Sequence, residues 1–168
     1  MKLCVLVKQV PGSESALRIA PSNTWIEDAA ALFEMNESDN YALEEALQIK
    51  ESLGNDSEVV VVSMGPERVQ KVIREALSKG ADRGIHINEM PEIKSDPFAT
   101  AQVFANVIKD ENFDLIFSGL QSDDVGSGQT GVILGEMLGM ATATLVMATE
   151  IQEGSIKVKR ELESGWFQ

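Results

Sequence analysis

The sequence has one cysteine, one histidine, few aromatic residues and about half as many basic as acidic side chains, and each scarcity excludes something. A single cysteine, Cys4, cannot form an internal disulfide. Its place in the apolar run Leu3-Cys4-Val5-Leu6-Val7 predicts a buried, inert thiol, as suits a reducing cytoplasm. The single histidine, His86, has no Cys, Asp or Glu at ligand spacing, so a hydrogen-bonded strand histidine is expected there in place of a metal ligand or catalytic base. No Ser-His-Asp set, Cys-x-x-Cys pair or phosphate loop closing on Gly-Lys-Ser/Thr occurs. The first apolar run is far too short to cross a bilayer, and no targeting or membrane segment is expected. With 14 Lys and Arg against 27 Asp and Glu, the net charge is −13, a field that repels phosphate backbones and anionic membranes. Nucleic acid and membrane insertion are therefore not expected. Any phosphate must be held locally, by backbone N–H groups and helix ends. The acidic surface could steer a basic protein partner, although ordinary solubility is the simpler reading.

What is present is an alternation of short apolar runs with helical patterns, the signature of parallel strands joined by crossover helices. The 168 residues suffice for one domain. Strands are predicted at 2–8, 58–63, 84–88 and 114–118, and helices at 39–53, from Pro66 to Lys79, at 97–109 and from within 127–131 to Gly139. Asn36 or Ser38 is the expected cap of the first helix, and Pro66 the expected first residue of the second. Two segments break the rhythm. Residues 13–35 read as a β-hairpin insertion around Pro21-Ser22-Asn23, and 142–168 as an additional strand pair at 142–151 and 156–162. The expected fold is α/β: a doubly wound, mainly parallel Rossmann-like sheet with helices on both faces. The last residues lie inside a strand pattern, so a single nucleotide-binding domain, 1–168, whose natural polypeptide continues, is the expectation.

In an open parallel sheet, ligands bind beyond the carboxyl ends of the strands. The segments there are Lys8 to Pro11, the Asn36-Glu37-Ser38-Asp39 turn, Ser63-Met64-Gly65-Pro66, and Gly119 to Gly131. The last is the strongest signal. Gly126, Gly128 and Gly131 allow close backbone approach, and Ser127, Gln129 and Thr130 offer donors beside the unpaired N–H groups of a first helical turn. A plain connecting turn is the alternative, but about a dozen residues is longer than such connections usually run. Gly126-x-Gly-x-x-Gly131, with Glu150 downstream, also matches a dinucleotide fingerprint, set farther from its strand than usual. Lys8 reads more simply as a strand end in solvent than as a phosphate ligand. Asp123-Asp124 reads as a loop that caps itself or contacts ribose hydroxyls, ahead of a metal site.

Taken in order, Val5-Leu-Val-Lys-Gln-Val10, Met35-Asn-Glu-Ser-Asp-Asn-Tyr-Ala-Leu-Glu-Glu-Ala46, Val62-Ser-Met-Gly-Pro66, Glu75-Ala-Leu-Ser-Lys-Gly-Ala-Asp-Arg83, Gly119-Leu-Gln-Ser-Asp-Asp124 and Gln129-Thr-Gly131 resemble the electron-transferring flavoprotein (ETF) beta subunit over essentially the whole chain. Val158-Lys-Arg-Glu-Leu-Glu-Ser-Gly165 resembles the start of that family's C-terminal signature. The resemblance implies a heterodimer in which an alpha subunit holds most of the FAD and the beta subunit buries AMP. It implies an electron carrier without catalytic residues, relaying electrons from primary dehydrogenases to a quinone reductase or other acceptor. Carried over by position, the AMP contacts fall on Leu6, Asn36, Glu37, Ser38, Asp39, Met64, Asp124, Val125, Gly126, Ser127, Gly128, Gln129, Thr130, Gly131 and Val132. Gly126 and Ser127 depart from the larger or Asp-rich residues usual in the family, which bears on the choice of nucleotide. Alternatives are an electron-bifurcating beta subunit with a second FAD in place of AMP, an NAD-binding oxidoreductase module, and a free-standing adenine-nucleotide sensor.

Overall fold

The computed structural model describes residues 1–54, 56–88, 96–163 and 165–167. In chain order the elements are β1 (Lys2–Leu6), β2 (Gln9–Pro11), β3 (Phe33–Met35), α1 (Glu37–Leu53), β4 (Glu58–Gly65), α2 (Gln70–Lys79), β5 (Arg83–Asn88), α3 (Pro97–Ile108), β6 (Leu115–Ser118), α4 (Thr130–Leu138), β7 (Val146–Gln152), β8 (Ser155–Leu162) and β9 (Gly165–Phe167).

A four-stranded parallel sheet in the order β5-β4-β1-β6 forms the centre. Strand alternation decides which helices cover which face. Leu3, Val5 and Val7 join Val59 and Val61 of β4 in packing against Leu43, Ala46, Leu47 and Ile49 of α1 and Val72 and Ala76 of α2. Cys4 and Leu6, with Val62, pack instead against Ala101, Phe104 and Ile108 of α3 and Leu134 of α4. β1 and β4 are therefore buried on both faces, and burying each such aliphatic side chain contributes about 1.5–3 kcal/mol. The edge strands β5 and β6 are only half-buried. From β1 the chain steps to β4 and β5 on one side, then returns to place β6 on the other. That reversal puts the switch point between the carboxyl ends of β1 and β6, where such sheets open a crevice.

Several boundaries differ from expectation. α1 starts two residues before the expected 39–53 span, behind Asn36. Pro66 is extended, with φ −62° and ψ 170°, and precedes a 3-10 turn at Glu67–Val69 before α2 begins. The insertion keeps an antiparallel turn, but only Ile19 and Ile26 bridge within it, and its paired base is β2 with β3. β7 begins at Val146 and not at 142, because Leu145 sits in the left-handed region (φ 56°) and cannot continue a strand. β7, β8 and β9 form a separate antiparallel sheet, tied to α1 where Thr149 N donates to Glu45 Oε1 at 2.7 Å. Residue 164, within the segment resembling the family's C-terminal signature, lies outside the described residues. Among the described residues, no helix is long and apolar enough to cross a membrane.

Candidate functional site

Two helix N-termini meet the switch point, and the chain treats them differently. At α1, Asn36 holds the N-cap position but its side chain makes no cap hydrogen bond. Only 1% exposed, it reaches across to the β6–α4 loop instead. Nδ2 donates to Gln121 O and to Ser38 Oγ, each at 2.9 Å, while Oδ1 accepts from Asp123 N at 2.9 Å. Ser38 Oγ donates to the same Gln121 carbonyl at 2.8 Å. Asp39, 6% exposed, accepts from Lys8 N on Oδ2 at 2.8 Å and from Gly119 N on Oδ1 at 3.0 Å, joining the ends of β1 and β6. Glu37 N donates to Asp123 Oδ2 at 3.3 Å, so a carboxylate of the loop fills the positive end of α1.

Lys8 completes the fastening: Nζ donates to Asp124 Oδ1 at 2.6 Å and to Ser122 Oγ at 3.2 Å. The expectation of a lysine ending its strand in solvent is corrected, because the loop folds back over the strand end and supplies a counter-charge. Gly119 is fixed for a steric reason, since a Cβ there would meet the Asp39 carboxylate, the Ser38 hydroxyl and the Asp39 backbone. Burial pushes the Asp39 carboxyl up to about 6, against the backbone N–H groups of Lys8 and Gly119 that favour its charged form. Asp124 is also partly desolvated, but hydrogen bonds from Lys8 and Ser122 hold its carboxyl below the usual range.

At α4 the arrangement reverses. The N-cap residue Gln129 makes no side-chain cap bond, and the first loop-to-helix bond is Ile133 N to Gln129 O at 3.1 Å. The N–H groups of Thr130, Gly131 and Val132 thus lie in a first turn that offers them no intrahelical acceptor. Before them, Gly126 and Gly128 take left-handed φ of 67° and 61°, and residues 125–129 are solvent-exposed. The loop is anchored over 119–124 and open over 125–129.

The expected site residues divide accordingly. Val125, Gly126, Ser127, Gly128, Gln129, Thr130, Gly131 and Val132 form the open half of the loop and the start of α4, and Asp124 closes the anchored half. Asn36, Glu37, Ser38 and Asp39 border it from α1. Leu6 and Met64 lie near the carboxyl ends of adjacent strands, packed in the α3/α4 core cluster. Gly131 packs so closely on Ser118 Oγ that a Cβ would collide with the end of β6, so this glycine serves helix–strand packing. Glu150 lies on β7 in the antiparallel sheet, opposite Lys157. His86 Nε2 bonds to Gly65 O at 2.8 Å, the hydrogen-bonded strand histidine expected. Among the described residues, no cluster of three or more His, Cys, Asp or Glu is placed to hold a metal.

One fixture leaves no local signal in the residues that make it. The Arg68 guanidinium stacks 3.7 Å from the Phe33 ring centroid and donates to buried Gln9 Oε1 at 2.6 Å, pinning the base of the insertion to the β4–α2 turn. Gln9 and Arg68 lie 59 positions apart, beyond the reach of any local pattern.

A family model described as an electron transfer flavoprotein domain matches residues 24–167. The electron transfer flavoprotein subunit beta of Methylophilus methylotrophus is 36% identical over 170 residues, covering 100% of this chain and 64% of that protein. The protein of the same description from Bradyrhizobium diazoefficiens is 38% identical over 165 residues, covering 98% of this chain and 65% of its own length. The one from Homo sapiens is 33% identical over 168 residues, with coverages of 98% and 65%. The chain thus spans a little under two thirds of the length of the curated relatives it matches.

Proposed function

The chain belongs to the electron transfer flavoprotein family, where its likeness is to beta subunits, and we propose that it is a nucleotide-binding α/β domain that holds AMP at the carboxyl edge of β1 and β6. One observation carries this reading: the glycine-containing loop is fastened at one end and delivers, at its other end, the uncapped N-terminus of α4. An acidic chain can hold a phosphate there without basic side chains, because oriented N–H groups and the helix dipole supply the positive potential. Thr130, Gly131 and Val132 donate from the backbone, with the hydroxyls of Ser127 and Thr130 beside them. Asp124 to Gly128 line the approach, and Leu6 and Met64 give the adenine side an apolar floor.

In this reading the chain pairs with an alpha subunit in a cytoplasmic heterodimer, and FAD, held mainly by that subunit, supplies the electron chemistry. The assembly takes electrons from primary dehydrogenases and passes them to a quinone reductase or other acceptor. This chain contributes scaffold and docking surface, not a catalytic group of its own.

The test is to denature the purified native complex and identify what is released by chromatography and absorbance. AMP with one FAD is expected. Two FAD would replace the AMP reading with the electron-bifurcating one, and NAD would replace it with a dehydrogenase module.

A further inference from the structure

We propose that Asn36 and Asp39 act on the bound nucleotide as positioning residues, committing their side chains to the β6–α4 loop and not to the nucleotide. The inference rests on the nucleotide reading above and departs from it at the α1 turn, where family resemblance alone would make these side chains ligands.

Hydrogen-bond capacity is the argument. An amide side chain has two donor hydrogens and an acceptor oxygen. Asn36 directs both donors and its acceptor within the chain, to Ser38 Oγ, Gln121 O and Asp123 N. Both carboxylate oxygens of Asp39 accept from backbone N–H groups, one at each strand end. Both side chains are buried, so a nucleotide could recruit them only by breaking these bonds, and buried polar groups left unpaired are costly. The bonds instead fix where the loop begins. Gly119 is held by Asp39, Gln121 by Asn36 and Ser38, and Asp123 by Asn36 and the Glu37 N–H. With that half fixed, Gly126 and Gly128 turn the remainder so that residues 128–132 arrive at the head of α4 in a set orientation. Holding donors in place before the ligand arrives is the general route to affinity without extra contacts.

Asp39→Asn is the discriminating variant. It keeps the shape but puts an NH2 group against either Lys8 N or Gly119 N, donor facing donor. Asn36→Ala is the second variant, removing both loop contacts with no new charge. Each is made in the full chain within its native assembly, stripped of nucleotide, and examined by AMP titration and by backbone amide hydrogen exchange. Loss of one hydrogen bond to a charged group predicts AMP binding weaker by about tenfold to a hundredfold, with exchange at 119–126 faster by a similar factor. Exchange in β1 and β4 should stay unchanged. Weakened AMP binding with unaltered exchange at 119–126 would overturn the proposal, because the side chains would then touch the nucleotide directly. Unaltered AMP binding despite faster exchange would overturn it too. If the wild-type assembly binds no AMP while the variants still loosen 119–126, the nucleotide reading fails and with it the link to binding, and the fastening is then only structural. Should Asp39→Asn fail to fold, Asn36→Ala decides by the same two readouts.

Discussion

α1 and α4 bring their N-termini to the same crevice from opposite faces of the sheet, yet one is filled by the chain itself and the other is not. At α1 the Asp123 carboxylate accepts from the first-turn Glu37 N–H, and the cap residue Asn36 reaches away to grip the loop. At α4 the cap residue Gln129 makes no side-chain bond, and the approach is through two left-handed glycines. A helix end is open to an anion only when the chain does not supply an acceptor of its own. Filling the first end is what fixes the second.

The largest way to disturb the filled end is through pH at Asp39. Its carboxyl keeps its proton up to about 6 when folded, against 3.8 as the ordinary value. A group with a raised folded pKa contributes stability that is fully present below its unfolded pKa and lost as pH rises through the folded one. The wild type should therefore lose up to about 3 kcal/mol relative to Asp39→Asn between pH 4 and pH 7. Urea unfolding of both proteins at several pH values checks the direction, and a difference that grows the other way contradicts it. Lys8, from the end of β1, is the charged side chain that opposes the effect of burial at Asp39.

Next in size is steric. Gly119→Ala pushes a methyl into the Asp39 carboxylate and the Ser38 hydroxyl, and forcing extra volume into such a packed site costs about 1–3 kcal/mol. Thermal unfolding should show Tm lower by several degrees with the parallel sheet retained. An unchanged Tm would mean that the loop is not held against α1.

The open end can be made to resemble the filled one. Gln129→Asp places a carboxylate at the α4 N-cap, which should stabilise the helix by about 0.5–1 kcal/mol while weakening AMP binding. Stability and affinity moving in opposite directions is the signature of an anion site. It is a cleaner test than Gly128→Val, which adds both a left-handed strain at φ 61° and a Cβ 3.3 Å from Leu120 O. The smallest effect is expected at Lys8→Met, because the Lys8–Asp124 pair is partly exposed and such pairs contribute about 1 kcal/mol or less.

Much of this architecture was legible in the chain. Val59 to Val62 and Leu3 to Val7 announce strands covered on both faces, and Gly54, Gly80 and Gly139 mark helix ends because local backbone needs write themselves into local residue types. The loop at 119–131 stood out for its length and its glycines. What was not legible is the sharing of duties within it. Asn36 looks like a cap and Asp39 like a first-turn acid, and nothing nearby reveals partners 80 to 87 positions away at Gly119, Gln121 and Asp123. Gly131 fits a ligand-approach pattern, yet its constraint comes from Ser118 across the strand–helix junction. The start of β7 was hidden for a different reason: the left-handed turn at Leu145 involves a residue type that rarely adopts it.

The most direct measurement is amide NMR of the assembly containing this chain labelled with 15N-glycine and 15N-serine, titrated with AMP. If the phosphate seats on α4, the Gly128 and Gly131 amides move strongly while Ser38 at the head of α1 stays still. Movement of Ser38 with Gly128 and Gly131 unaffected would place the phosphate at the other helix and contradict the account.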